Sequence, residues 1–136
     1  MSTGDIAATV KEIYSLYESD TESAVTRLFQ VLDDDVRWCS LANGCVGAEF
    51  TKERNGLEQV KQYFEDLSAD WEMIHFTVDE FVCENDRVVM IGSCGWKHRR
   101  TGKSIDSPKV DLWRIRDDKI VEFQELYDTA KMMAAV

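Results

Sequence analysis

Apolar and polar residues alternate along the second half of the chain, and a period of two is typical of β-strands. This alternation predicts strands over residues 71–83 and 87–98, and a hairpin over residues 105–128 with a tight turn at Asp117-Asp118. A two-residue turn of this kind requires positive φ angles. Because the connections are short, each strand is expected to pair with the next, which gives a four-strand antiparallel meander.

Apolar residues in the first half recur at the spacing of amphipathic helices. They predict helices over residues 5–17, 21–32 and 57–68, and a short strand over residues 36–41. Asn55 and Glu58 have the spacing of a capping box at the start of the third helix. Helices beside a long antiparallel sheet are an α+β arrangement, and residues 1–136 are expected to form a single domain.

Three ionisable side chains lie on one predicted face of the hairpin. Lys109 and Asp111 share this face in the first strand, and Glu125 shares it in the second. The other members of the face are Ser107, Trp113, Ile115, Val121, Phe123 and Tyr127. A buried charge costs several kcal/mol unless it is paired, so charged groups among these aromatic residues are unusual.

Asp111 and Glu125 can be interpreted in two ways. Two carboxylates in a dry cavity do not both ionise easily, so one pKa rises and the pair can supply a general acid and a general base. Alternatively, Lys109 or Arg114 pairs with one of them and the group is structural. The sequence pattern alone leaves both interpretations open.

Aromatic residues are distributed so that several can border one cavity. The tryptophans, which fall in different predicted strands or at their starts, are Trp38, Trp71, Trp96 and Trp113. On the inner face they would hold a flat or cyclic apolar ligand, although core packing explains each one taken singly. At least one hydroxyl of Tyr14, Tyr17 and Tyr63 is expected to reach the pocket. We expect ligand contacts from Trp38, Tyr63, Cys94, Trp96, Trp113, Phe123 and Tyr127.

The two histidines and four cysteines do not show the spacing of a metal site, and we expect neither a metal nor another cofactor. The cysteines are interpreted as buried free thiols. His75 fits a hydrogen-bonded core residue, with a role in the cavity as the alternative. His98 fits a solvated strand end, with proton shuttling as the alternative.

The acidic composition limits the class of partner. The net charge is −10, and such a surface repels nucleic acids and anionic membranes. The sequence shows neither a signal peptide nor an apolar run long enough to span a bilayer, so a cytoplasmic location is expected. Val110 and Leu112 fall on the outer face of the hairpin, and this apolar patch predicts a homodimer.

The order of elements and several short motifs resemble the SnoaL-like, ketosteroid-isomerase-related branch of the NTF2-like superfamily. The motifs are Arg87-Val88-Val89, Arg100-Thr101-Gly102-Lys103, Asp111-Leu112-Trp113-Arg114-Ile115, Lys119-Ile120 and Tyr127-Asp128. This resemblance covers nearly the whole chain. It implies a cystatin-like, cone-shaped α+β barrel in which a curved antiparallel sheet wraps around three N-terminal helices. Because the fold hosts enzymes of several classes and non-catalytic binders, it leaves the reaction open.

Ketosteroid isomerases use a buried, protonated aspartate and a tyrosine in their oxyanion hole. Asp111 begins the matching strand pattern and Tyr14 has the matching place on the first helix, so the resemblance implies these roles for them. The general-base aspartate of that family falls on Trp38, and an indole cannot act as a base.

Two other branches of the superfamily resemble the chain in part. Limonene-epoxide-hydrolase-like members have a last-strand acid that matches Glu125, but their Arg-x-Asp pair falls on Gly92 and Cys94. SnoaL-type cyclases use one acid/base carboxylate, which Asp111 or Glu125 matches. The resemblance implies a small-molecule pocket protein, namely a cofactor-independent lyase, cyclase or isomerase acting on a small, partly apolar carbonyl compound. In that enzyme Asp111 and Glu125 would move protons and Tyr14 would donate to an oxyanion. The alternative is a non-catalytic ligand-binding or dimerisation module.

Overall fold

The part of the chain that the structure describes contains four α-helices, six β-strands and one short 3-10 helix, Glu49–Thr51. This computed structural model covers the backbone of residues 3–136 and the side chains of residues 5–136. The helices are α1 (Thr3–Tyr17), α2 (Thr21–Val31), α3 (Leu57–Asp70) and α4 (Thr129–Ala135). The strands are β1 (Leu32–Ser40), β2 (Arg54–Asn55), β3 (Trp71–Glu84), β4 (Arg87–His98), β5 (Ser104–Arg116) and β6 (Lys119–Tyr127). Within residues 3–136, no helix combines the length and the apolar character that a bilayer crossing requires.

The strands form one curved, unclosed sheet in the order β2-β1-β6-β5-β4-β3. β3 to β6 are the antiparallel meander that the alternation predicts. β1 pairs in parallel with β6 and antiparallel with β2, so the sheet is mixed and has two strands beyond the meander. Apolar residues of α1, α2 and α3 pack with the inner side chains of the sheet in one core. The predicted α+β fold is therefore confirmed.

A glycine decides where α3 begins. Gly56 is the N-cap, with a φ of 85°, and no side chain caps this helix start. The predicted capping box of Asn55 and Glu58 is wrong because Asn55 lies in β2, opposite Arg37 of β1. The chain can enter the helix only after Gly56 has turned it, and glycine takes this positive φ without a Cβ clash.

The β5–β6 hairpin has the predicted turn and, in addition, a bulge. Asp117 and Asp118 both have positive φ angles, 49° and 65°. An extra residue in β6 shifts its register against β5, so Ile120 is fully buried and Val121 is only half-buried. The expectation that Val121 shares the inner face is therefore wrong, because a shift of one residue moves a side chain to the other face.

The C-terminal α4 is not predicted by the sequence pattern. The Asp128 carboxylate caps it by accepting the N–H of Lys131 at 3.0 Å, and Thr101 donates its hydroxyl proton to the carbonyl oxygen of Ala135 at 2.6 Å. Met132 is buried on its inner side. Such a short helix depends on tertiary contacts of this kind, because an isolated helix of seven residues is not stable in water.

Candidate functional site

A cavity of about 110 Å³ lies between the inner face of the sheet and the helices. Its walls are mostly aromatic and aliphatic, and all four tryptophans border it. Its polar groups include Lys109, Asp111 and Glu125, which extend from β5 and β6. Because a 150 Å³ cavity in another protein holds benzene, a cavity of this volume has room for about one small ring.

Lys109 lies between the two carboxylates. Its Nζ is 2.5 Å from Asp111 Oδ1 and 2.7 Å from Glu125 Oε1. Asp111 and Glu125 are directly opposite each other across the β5–β6 pair. The exposed fractions of Lys109, Asp111 and Glu125 are 6%, 3% and 7%, so the predicted inward orientation of these side chains is confirmed.

A tyrosine donates to the second oxygen of each carboxylate. Tyr14 on α1 donates its hydroxyl proton to Asp111 Oδ2 at 2.5 Å, and Trp113 Nε1–H donates to the Tyr14 oxygen at 2.8 Å. Tyr63 on α3 donates to Glu125 Oε2 at 2.5 Å. We call the six connected side chains the carboxylate network, which consists of Tyr14, Tyr63, Lys109, Asp111, Trp113 and Glu125.

Burial and mutual charge set the protonation of the carboxylate network. Burial raises the pKa of Asp111, and the negative charge of Glu125 raises it further, against the opposing effect of Lys109. Burial lowers the pKa of Lys109, but the two carboxylates outweigh it, and the net direction is upward. Burial and then the nearest carboxylate raise the pKa of Tyr14 and Tyr63.

These shifts assign chemical roles within the carboxylate network. Lys109 remains an ammonium ion, so it is neither a base nor a nucleophile. Tyr14 and Tyr63 remain protonated donors. With both carboxylates ionised the network has a formal charge of −1, and one added proton makes it neutral. In a low-dielectric site this favours a proton held by Asp111.

Protonation of Asp111 makes the stability of the protein depend on pH. The pKa of Asp111 in the folded chain lies above its ordinary value of 3.8, so the folded state binds this proton more tightly than the unfolded state. The resulting stabilisation is complete below pH 3.8 and is lost as the pH rises through the folded-state pKa. We expect Asp111→Asn, which does not titrate, to gain stability relative to the wild type over this interval.

Urea unfolding at a series of pH values measures this difference in the free energy of unfolding. Asp79→Asn on an exposed part of β3 is the matched control for the loss of one carboxylate. A difference between Asp111→Asn and the wild type that stays constant with pH would show that Asp111 has the same pKa in the folded and unfolded chain.

All ten residues proposed for the site from sequence border the cavity, namely Tyr14, Trp38, Tyr63, Cys94, Trp96, Asp111, Trp113, Phe123, Glu125 and Tyr127. Phe123 stacks on Trp38 with ring centroids 3.9 Å apart. The Tyr127 hydroxyl lies 2.6 Å from Ser40 Oγ, and burial raises its pKa to about 12. Burial raises the pKa of the Cys94 thiol to about 11, so this thiol stays protonated and unreactive where it borders the cavity.

Lys109 has a larger part in the site than the sequence analysis assigned to it. The sequence indicates it only as one of two candidate partners, yet it binds both carboxylates. The sequence signal for this role is its spacing of two residues from Asp111, which places both side chains on one face of the strand. Arg114, the other candidate partner, lies 3.7 Å from Asp86 instead, so the expected pairing of a cation with the carboxylates is confirmed for Lys109 and not for Arg114. Met132 of α4 also borders the cavity and was missed because α4 was not predicted.

The histidines differ from their predicted environments, and neither borders the cavity. His98 is buried and its ring meets Trp71 edge-on at 4.8 Å, so the prediction of a solvated strand end is wrong. His75 is half-buried rather than in the core, and its Nε2 lies 2.6 Å from Asp106 Oδ1. Both differences arise from packing between strands that the sequence does not show.

The four thiols are free, but burial holds for only one of them. Cys94 is buried, Cys39 is half-buried, and Cys45 and Cys83 are exposed, so the prediction of buried thiols is wrong for the last two. Among the residues that the structure describes, no three His, Cys, Asp or Glu side chains are grouped so that they could hold a metal ion.

Comparison with known proteins identifies relatives of this sequence and of this fold. A family model described as a SnoaL-like domain matches residues 10–123. No curated protein matches the sequence. An NTF2-like protein of unknown function from Burkholderia pseudomallei has a similar structure, with 23% sequence identity and a TM-score of 0.80. That alignment covers 100% of this chain and 98% of the other.

Two further similar structures contain small molecules. A protein with a ketosteroid isomerase-like fold from Catenulispora acidiphila, in complex with trimethylamine, is 20% identical with a TM-score of 0.72, over 93% of this chain and 90% of that one. TerC, co-crystallised with polyporic acid, is 18% identical with a TM-score of 0.76, over 98% of each chain. At these identities the likeness shows the fold alone.

Proposed function

Because the chain belongs to the SnoaL-like domain family, we propose that it binds a small, partly apolar carbonyl compound and catalyses a cofactor-independent proton transfer of the lyase, cyclase or isomerase type. The fold hosts several activities, so the site has to support the choice. The observation that carries the proposal is a buried network of two carboxylates and one lysine at the wall of an otherwise apolar cavity.

The contacts of the carboxylate network support a proton donor at Asp111 and Tyr14. When Asp111 holds a proton, it can donate that proton to Tyr14, whose oxygen also accepts the Trp113 N–H. The Tyr14 hydroxyl proton is then released from Asp111 and can be donated to a carbonyl oxygen of the ligand. A hydroxyl that accepts two hydrogen bonds is a strong donor to the negative charge that develops there.

Glu125 is the base in this proposal. Each carboxylate oxygen has more than one lone pair, so a Glu125 oxygen that already accepts from Lys109 or Tyr63 can still take a proton from the carbon next to the carbonyl. The electron pair of that C–H bond moves onto the carbonyl oxygen, which takes the Tyr14 hydroxyl proton while Asp111 passes its own proton to Tyr14. Lys109 keeps both carboxylates in place and does not transfer a proton in the step.

Ligand size and assembly complete the proposal. The cavity volume favours a ligand of about one ring, and the ligands of two structural neighbours, trimethylamine and polyporic acid, support a small-molecule partner. Val110 and Leu112 are half-buried on the outer face of the sheet, and a second copy of the chain is proposed to cover them. The protein is proposed to act in the cytoplasm.

A screen of cyclic ketones tests this proposal. Binding is measured as a rise in melting temperature, and proton transfer as exchange of the α-hydrogens for deuterium, followed by NMR in D₂O against protein-free buffer. We expect at least one ketone to bind and to exchange faster with the protein than without it. A protein that binds no ketone, or that binds one without any exchange, would contradict the enzymatic proposal.

A non-catalytic ligand-binding or dimerisation module is the second candidate function. Two observations favour it. Every oxygen of the two carboxylates already has a partner within the chain, and Trp38 occupies the place at which the resemblance expects a base. Binding of a ketone with no α-hydrogen exchange is the result that this candidate predicts.

A further inference from the structure

One hydrogen-bond donor in the cavity wall has no acceptor among the residues that the structure describes. Trp38 is 2% exposed and borders the cavity, and among the side chains that the structure describes none accepts its buried Nε1–H. Trp113, its neighbour in the same wall, donates its own Nε1–H to Tyr14. A buried donor without an acceptor destabilises a folded chain, so its retention calls for an explanation.

The surroundings of Trp38 leave the cavity as the source of an acceptor. Its ring stacks on Phe123 at 3.9 Å and packs against Phe64 at 5.6 Å, and neither phenylalanine has an oxygen. Tyr63 is also in contact, at 5.7 Å, but its hydroxyl is engaged with Glu125. The acceptor for Trp38 therefore has to come from what the cavity holds.

Trp38 and Tyr14 both border the cavity, and both contact Trp113. Trp113 packs edge-on against both rings, with centroids 6.1 Å from Tyr14 and 5.9 Å from Trp38. Tyr14 extends from α1 and Trp38 from β1. A ligand whose carbonyl group meets Tyr14 can thus present a second polar atom to Trp38.

We infer that the Trp38 indole N–H donates a hydrogen bond to an uncharged acceptor oxygen at the second end of the ligand. This inference rests on the proposed function, since it specifies the ligand of that same cavity. An uncharged oxygen fits because Lys109, the cation of the carboxylate network, is already paired with two carboxylates, so the network offers no cation to an anionic ligand. Trp38 is then a specificity-determining residue, which selects ligands with two oxygen ends over ligands with one.

Two nearly isosteric ketones isolate this contact. 1,4-Cyclohexanedione and 4-methylenecyclohexanone share one carbonyl group for Tyr14 and differ only in whether the other end is an oxygen or a CH₂ group. We expect the wild type to bind the dione about fivefold more tightly, which corresponds to one hydrogen bond of ~1 kcal/mol. Trp38→Phe keeps an aromatic ring but lacks the N–H, and it should bind the two ketones equally. Tyr14→Phe is the matched control, and it should keep the preference for the dione.

A second measurement uses the wild type alone, so it does not depend on the folding of Trp38→Phe. The ¹⁵N-labelled protein has four indole N–H signals, one for each tryptophan. The Trp38 signal, assigned through its bonds to the backbone, should shift when the dione is added and should stay in place with 4-methylenecyclohexanone.

The outcomes separate this inference from the proposed function. If the wild type binds both ketones equally, or if Trp38→Phe weakens both to the same extent, the inference is overturned and the proposed function stands. The same holds if Tyr14→Phe removes the preference and Trp38→Phe keeps it. If neither ketone binds, and no other ketone of the screen binds, the proposed function fails and the inference fails with it.

Discussion

Replacement of Lys109 by methionine is expected to lower the free energy of unfolding by about 3–5 kcal/mol near neutral pH. Methionine has a similar length and fills the same space, but it removes the ammonium group that lies 2.5 Å from Asp111 and 2.7 Å from Glu125. Two buried carboxylates would then face each other without a cation. Since a domain is stable by about 5–15 kcal/mol, such a loss is a large fraction of the total stability.

Urea unfolding followed by tryptophan fluorescence measures this loss. Lys61→Met on the exposed side of α3 is the matched control, and its effect should stay within about 0.5 kcal/mol. The loss in Lys109→Met should shrink in acid, because protonated carboxyl groups do not need a cation. If Lys109→Met is no less stable than Lys61→Met, the bridge between the two carboxylates does not stabilise the fold.

The exchange of ligand α-hydrogens is expected to fall by about 10²–10⁴-fold in Asp111→Asn. The amide can accept from Lys109 and can donate to the Tyr14 oxygen, so the shape of the carboxylate network is kept. It cannot hold the proton that Asp111 passes to Tyr14 in the proposed step. Binding of the same ketone should therefore change much less than the rate of exchange.

NMR in D₂O gives the exchange rate, and a titration of the same sample gives the affinity. Asp79→Asn is the control for the loss of one carboxylate, and it should exchange at the wild-type rate. Exchange at the wild-type rate in Asp111→Asn would remove Asp111 from the proposed step and would leave Glu125 as the acid/base group.

The raised pKa of Asp111 also agrees with the composition of the site. A single lysine among two carboxylates leaves one negative charge, and that charge can be neutralised by a proton at low cost in a buried site. If the site had a second cation, or only one carboxylate, its formal charge would not be negative. An added proton would then not neutralise it. The pairing that stabilises the fold and the proton that the proposed reaction needs are therefore properties of the same residues.

Local periodicity determined a large part of this protein. The alternation along β5 and β6 is enough to place Lys109, Asp111 and Glu125 inside, because successive side chains of a strand point to opposite faces. The spacing of apolar residues likewise predicts α1, α2 and α3, and the motifs of the second half indicate the family. These features depend on residues that are near each other in the chain.

Only the tertiary structure decided which of these side chains meet. Tyr14 reaches Asp111 across 97 positions and Tyr63 reaches Glu125 across 62, and no local pattern encodes such distances. The parallel pairing of β1 with β6 brings Trp38 to Phe123. The bulge in β6 moves Val121 away from the inner face of the sheet, where periodicity predicts it. The sequence thus determined which groups face inward. Long-range packing decided which atoms these groups contact, and those contacts set their protonation.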